Sequence, residues 1–156
     1  MKLTRNNLRL NRRSGFLVRR LHQIHLALFA EECGRFNVTP VQYSILTALV
    51  QHGALDQVSL AEIVGIDRAN TTGVLSRLEA RDLIRRGPDP RDRRVKRCAL
   101  TAQGRNLTRR MSAAVERCHH RTVAALPARE RHRFMASLER LVRANNALGR
   151  ARLRLE

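Results

Sequence analysis

Residues 59–101 read SLAEIVGIDRANTTGVLSRLEARDLIRRGPDPRDRRVKRCALT, and this stretch decides the fold. Ser59-Leu60-Ala61-Glu62 has the form of a capping box, a serine and an acid three residues apart that satisfy each other's backbone amides. It opens a short helix carrying Leu60, Ala61, Ile63 and Val64, which Gly65 closes. Asp67 then caps a longer helix with Val74, Leu75 and Leu78 on one side, running to about Asp82. A short helix, a tight turn containing glycine and a longer helix make a helix-turn-helix. Leu83-Ile84-Arg85-Arg86 reads as a strand, broken by Gly87-Pro88-Asp89-Pro90. After the charged tip Arg91-Asp92-Arg93-Arg94, Val95 to Leu100 reads as the returning strand of a β-hairpin.

Upstream, Thr39-Pro40-Val41-Gln42 is a second helix start: a capping threonine, a proline suited to the first helical position, and a glutamine to complete the box. That helix carries Tyr43, Ile45, Leu46, Leu49 and Val50 and stops at Gly53, leaving 53–58 as a loop. Before it, Leu17, Leu21, Ile24 and Leu28 recur at helical spacing, widened by Val18, His25, Phe29 and Cys33, until Gly34 and the residues through Val38 end the helix. Residues 1–13 are polar and basic and read as a loose arm or a frayed first turn. Downstream, Thr101 caps a helix striped by Leu107, Met111, Ala114, Cys118 and Ala125. Pro127 opens a last one with Phe134, Leu138, Leu141 and Leu148.

The chain has 156 residues, a one-domain length. Its 31 Lys+Arg stand against 13 Asp+Glu, a formal net charge of +18. Charge of that size calls for a polyanionic partner, and nucleic acid comes first. Aromatic residues are only 3% of the chain, too few for a platform that stacks single-stranded bases. Cys33, Cys98 and Cys118 are odd in number and lack CxxC spacing, which speaks against a disulfide framework or a zinc site. No apolar run is long enough to span a membrane, and no secretory signal follows the basic N-terminus. A cytoplasmic location and no membrane partner are expected.

Asp92-Arg93-Arg94, five residues, then Leu100-Thr101 match the wing signature D-x-R-x(5)-L-T, and the flanks Arg77 to Arg86 and Thr101-Ala102-Gln103-Gly104 agree with it. In these features the chain resembles the MarR family of bacterial regulators. The resemblance implies a mainly α fold with a small β-hairpin wing: a winged helix-turn-helix whose N- and C-terminal helices form a dimerisation region. Residues 1–156 would be one such domain, with 39–100 as the DNA-binding part and 14–36 and 101–152 as dimerisation helices. It further implies a homodimer that represses transcription and is released by a small, often aromatic or anionic, effector.

On a helical wheel Thr71, Val74, Leu75 and Leu78 face inward. Ala69, Thr72, Gly73 and Ser76 face outward, flanked by Arg68, Asn70 and Arg77. This outer face suits the major groove. Thr72 can meet a thymine methyl or donate to a base edge, and Asn70 can bond adenine. Arg77 suits phosphate, and Arg68 phosphate or guanine. Family members often carry a longer side chain where this sequence has Gly73. At the wing, Arg93 holds the tip position that enters the minor groove in the family, with Arg91 a neighbour able to serve; a narrow A·T-rich groove attracts such an arginine. Arg94 also belongs to the DNA-facing set, and Asp92 is expected to hold the tip by pairing with an arginine. Two copies would read a pseudo-palindromic operator with half-site centres about 10 bp apart.

The family's ligand pocket lies between the dimer helices and the winged part, and its expected lining here is His25, Phe29, Cys33, Tyr43 and Met111. Neither cofactor nor metal is expected. His22 and His25 have no completing ligand set, and the consecutive side chains of Cys118, His119 and His120 fan out around a helix. With no paired carboxylates, nucleophile elbow or P-loop, the chain does not read as an enzyme. Two other readings remain: an architectural DNA-binding protein of weak specificity, favoured by the charge, and a regulator switched by oxidation of Cys33.

Overall fold

The structure, a computed structural model, describes residues 9–89, 92–149 and 151–154. Arg91 and most of the basic N-terminal arm lie outside the described residues. Helices α1 (Ser14–Cys33) and α2 (Pro40–His52) meet at a corner, where a 3-10 turn, Gly34–Phe36, ends with Asn37 in the left-handed region at φ 50°. The capping box of α2 forms: Thr39 Oγ1 accepts from the Gln42 amide at 3.2 Å, and Gln42 Oε1 accepts from the Thr39 amide at 3.0 Å.

The segment expected as a loop holds a two-residue strand, β1 (Leu55–Asp56), followed at once by α3 (Gln57–Val64). The helix thus starts two residues ahead of Ser59, and its cap is Asp56. One carboxylate oxygen accepts from the Val58 and Ser59 amides, each at 2.9 Å, and the other accepts from the Ser59 hydroxyl at 2.7 Å. A carboxylate with four lone-pair sites satisfies more orphan donors than the Ser59 hydroxyl could. Gly65 ends α3 at φ 72°, a conformation that favours glycine. Helix α4 (Arg68–Ala80) follows, capped by Asp67 as its sequence requires.

Strands β2 (Ile84–Pro88) and β3 (Lys96–Leu100) form the antiparallel hairpin, with Ile84 opposite Leu100 and Arg86 opposite Cys98. Strand β1 pairs with the other edge of β3, so the sheet order is β1-β3-β2. The expected break at Gly87-Pro88 falls inside the paired strand, which runs two residues further than its sequence suggests.

Helix α5 (Ala102–Thr122) starts on the Thr101 cap and packs along α1. It ends before Ala125, which sits in the following turn and off the expected stripe. Ile45, Leu46, Leu60, Leu75, Leu78, Leu83, Ile84 and Met111 are fully buried and join α2, α3, α4, the sheet and α5 in one core. On α1, Phe29 and Cys33 are the buried side chains, whereas Leu17, Val18 and Ile24 face out. Helix α6 (Ala128–Asn145) buries no residue at all, and Met135, Leu141 and Val142 stand exposed on it. Beyond it the chain returns to α3: the Arg154 amide donates to the Glu62 carbonyl at 2.8 Å, and the two side chains pair at 3.0 Å. No helix is long and apolar enough to cross a membrane among the described residues.

Candidate nucleic-acid interface

Helix α4 divides as its sequence predicts. Thr71, Val74, Leu75 and Leu78 are buried, and Arg68, Ala69, Asn70, Thr72, Gly73, Ser76 and Arg77 are exposed. Four inward anchors at spacings of three, one and three fix the helix's rotation, which leaves one polar face toward solvent. Several residues of that face are already engaged. The Asn70 amide Nδ2 donates to Asp67 Oδ2 at 2.7 Å, while its backbone N–H is capped by Oδ1 at 2.8 Å. Thr72 Oγ1 accepts from Gln57 Nε2, at the start of α3, at 2.6 Å. Arg77 lies along the helix above Gly73, with its Nη2 about 3.9 Å from where a Cβ would stand.

Glu79 closes the C-terminal side of the face. Its carboxylate accepts from the Arg86 backbone amide at 3.2 Å and from Arg86 Nε at 2.7 Å. That pairing holds the Glu79 carboxyl below its usual range and raises the Arg86 guanidinium. Arg86 is therefore a brace between helix and wing.

At the wing the acid–arginine pairing differs from expectation. Asp92 Oδ1 accepts from the Arg94 backbone amide at 3.0 Å, and the Val95 amide donates to the Asp92 carbonyl at 3.0 Å. The tip is thus held by backbone donors. The acid that pairs with an arginine is Asp89, buried at the base of the tip and bridged to Arg97. Its amide also donates to the Val95 carbonyl at 2.8 Å, closing the loop across both strands. Arg93 and Arg94 stand exposed at the tip.

The five residues expected to line a ligand pocket do not share a cavity. Cys33 and Met111 are fully buried core side chains. Phe29 lines a cavity of about 750 Å³ between α1, α2 and α4, together with Leu26, Val38, Gln42, Arg77 and Arg81. Tyr43 lines another of about 750 Å³ between α2, the hairpin and α5, together with Thr47, Arg85, Arg105, Arg109 and Ser112. The Thr47 hydroxyl is buried without a hydrogen-bond partner among the described residues. His25 belongs to neither cavity. Its Nδ1 is 2.9 Å from Thr122 Oγ1, and its ring stacks on His119 at 5.4 Å. Burial, then His119 and His22, lower its pKa.

Burial also raises the thiol pKa of Cys33, of Cys118, and of Cys98 to about 11. A redox switch needs an accessible thiolate, so Cys33 has the wrong environment for one. Among the described residues no group of three or more His, Cys, Asp or Glu could hold a metal ion. Sequence reasoning missed Gln57, Asp89, Arg81 and the arginines of the second cavity. Each meets its partners on another element rather than its own, where no local pattern marks it.

The MarR family model matches residues 38–96, which run from the start of α2 into the wing. The HTH-type transcriptional repressor NicR of Pseudomonas putida is 30% identical over 135 residues, covering 86% of this chain and 85% of that protein. Among solved structures, Bordetella bronchiseptica BpsR, whose DNA binding is regulated by 6-hydroxynicotinic acid, is 33% identical with a TM-score of 0.81, covering 84% of this chain and 94% of that one. The PcaV transcriptional regulator of Streptomyces coelicolor, in complex with its natural ligand, is 32% identical with a TM-score of 0.78, covering 92% and 99%.

Proposed function

The chain belongs to the MarR family, and from that premise we propose that it is a homodimeric, sequence-specific repressor that binds double-stranded DNA and is released by a small aromatic acid. The observation that carries the DNA-binding reading is the α4 face. Its small and polar residues stand exposed over four buried anchors, with the arginine-tipped hairpin beside it. Arg68, Asn70, Thr72, Gly73, Ser76 and Arg77 would enter the major groove. Arg93 would enter the minor groove, and Arg94 would follow the backbone. Residues 39–100 form the DNA-binding part. Residues 14–36 and 101–152 make the dimer, which the uncovered apolar side chains of α1 and α6 support.

The effector reading rests on the cavity beside Tyr43. Arg85, Arg105 and Arg109 give it positive charge, and the unpartnered Thr47 hydroxyl offers a polar contact inside apolar walls. A carboxylate on an aromatic ring meets both needs, and BpsR responds to an acid of this class. The cavity touches the helix before the motif, the hairpin and α5, so a bound ligand would shift the wing against the dimer helices.

The +18 charge favours a second reading, a DNA-coating protein without sequence preference. Fluorescence anisotropy at near-physiological salt separates the two. The specific regulator binds its own upstream DNA about 10³-fold or more tighter than a scrambled duplex, and Arg93→Ala weakens that binding and lowers the salt slope by about one. Equal affinity for both duplexes, and no duplex enriched from a random library, would leave the coating reading standing.

A further inference from the structure

Gln57 is the first residue of α3 and Thr72 lies in the middle of α4, fifteen residues on. Gln57 Nε2 donates to Thr72 Oγ1 at 2.6 Å. The same oxygen lies 3.4 Å from the Arg68 carbonyl one turn back, a long contact to which the hydroxyl can donate. A threonine hydroxyl has one proton to donate. Here a lone pair goes to Gln57 and the proton can reach the helix backbone, so the oxygen is turned toward the protein on two sides.

The γ-methyl must then occupy a different staggered position on the same Cβ. Thr72 is exposed, and so are Ala69, Gly73 and Ser76 around it. At the centre of the outer face of α4 the group left for a partner is therefore apolar. In the major groove the apolar feature of a base edge is the 5-methyl group of thymine.

We infer that Gln57 is a positioning residue that turns the Thr72 hydroxyl inward, so that Thr72 reads thymine through a methyl–methyl contact. This rests on the DNA-binding reading above. It also accounts for Gly73: a side chain there would stand next to the methyl in the groove, whereas the space over Gly73 is open except for the end of Arg77.

The test uses the full chain and a duplex enriched by it from a random-sequence library. Thymines in the half-sites are exchanged one at a time for deoxyuridine, which removes only the 5-methyl group. At one thymine per half-site the wild type should lose affinity about fourfold, the size expected for one buried methyl. Thr72→Ser should abolish that difference while leaving other thymines as they were. Gln57→Ala should shrink it, because the freed side chain can turn. Adding Thr72→Val to Gln57→Ala should restore it, since valine carries a methyl at both γ positions.

Circular dichroism melts check that each variant folds, and Thr72→Ser tests the methyl on its own if Gln57→Ala does not. A residue that only braces α3 against α4 would weaken every duplex alike and leave the thymine–deoxyuridine difference intact; that result, or specific binding with no deoxyuridine-sensitive thymine, overturns this inference alone. Failure to enrich any duplex overturns the regulator reading together with it.

Discussion

Arg81, just past the end of α4, donates from Nη2 to the Phe36 carbonyl at 3.2 Å and from Nη1 to the Asn37 carbonyl. One side chain thus ties the C-terminal end of α4 to the corner between α1 and α2. Asn37 turns the chain there through a left-handed conformation. Charged donors to backbone carbonyls are stronger than neutral ones. Arg81→Ala should cost about 1–2 kcal/mol in urea unfolding. It should also weaken operator binding more than its distance from the groove suggests, since the end of α4 loses its tether. Unchanged stability would mean that solvent replaces the tether without loss.

Gly104 sits in the first turn of α5, where a Cβ would stand 1.9 Å from the Leu83 carbonyl oxygen and 3.1 Å from the Leu100 side chain. That carbonyl accepts from the Thr101 amide, so it cannot swing away without breaking the start of the helix. Gly104→Ala should therefore destabilise the fold by at least about 3 kcal/mol. Its helix propensity alone would predict a gain. Thermal melting decides which effect wins.

His25 gives the fold a pH dependence of known sign. Thr122 Oγ1 donates to the Cys118 carbonyl at 2.8 Å, so toward His25 it accepts, and the neutral ring carries its proton on Nδ1. The ring is half-buried among His119, His22, Cys118 and Thr122. Its pKa in the fold lies below the unfolded value of 6.5. The unfolded chain then binds more protons, so this contribution to stability is complete above pH 6.5 and is lost as pH falls through the lowered value. The carboxylates Glu32, Glu79 and Asp56 are also held low, but they act below their unfolded values of 4.5, 4.5 and 3.8, outside this window. Melting temperature should fall between about pH 7.5 and about pH 5.5, and His25→Gln should flatten that slope. An unchanged slope in the variant would assign the effect to other groups.

Cys98 lies on β3, buried between the hairpin and the helices, and burial pushes its thiol up to about 11. At pH 8 it is neither ionised nor accessible. A maleimide should leave Cys98 unmodified in the folded protein and label it fully in urea, as peptide mass mapping would read. Rapid labelling without denaturant would show that the hairpin opens on the timescale of the reaction.

Much of this was legible in the sequence because the signals are local. Thr39, Asp67 and Thr101 cap where their patterns place them, and the period of Val74, Leu75 and Leu78 gives the rotation of α4. What escaped depends on partners distant along the chain. The pairing of Leu55 with Cys98 makes a strand from two residues that carry no strand signal. Ser59 and Glu62 imitate a capping box, yet Asp56 outcompetes the serine with a carboxylate placed by that same strand. Asp92 and Asp89 are equivalent by composition, and only the closed loop tells which one is buried beside Arg97. The expected pocket residues scattered for a similar reason. Helical period shows that Cys33 and Met111 face inward, but it does not distinguish a cavity wall from solid core.

Helix α6 has 18 residues and buries none of them. In a folded protein most of a helix's stability comes from packing an apolar face rather than from helix propensity. If its apolar side is covered by a second copy, folding itself becomes a second-order process, and the melting temperature climbs with protein concentration. The paired species would then rise faster than in proportion to copy number. The bare helix would then make the chain a gauge of its own abundance.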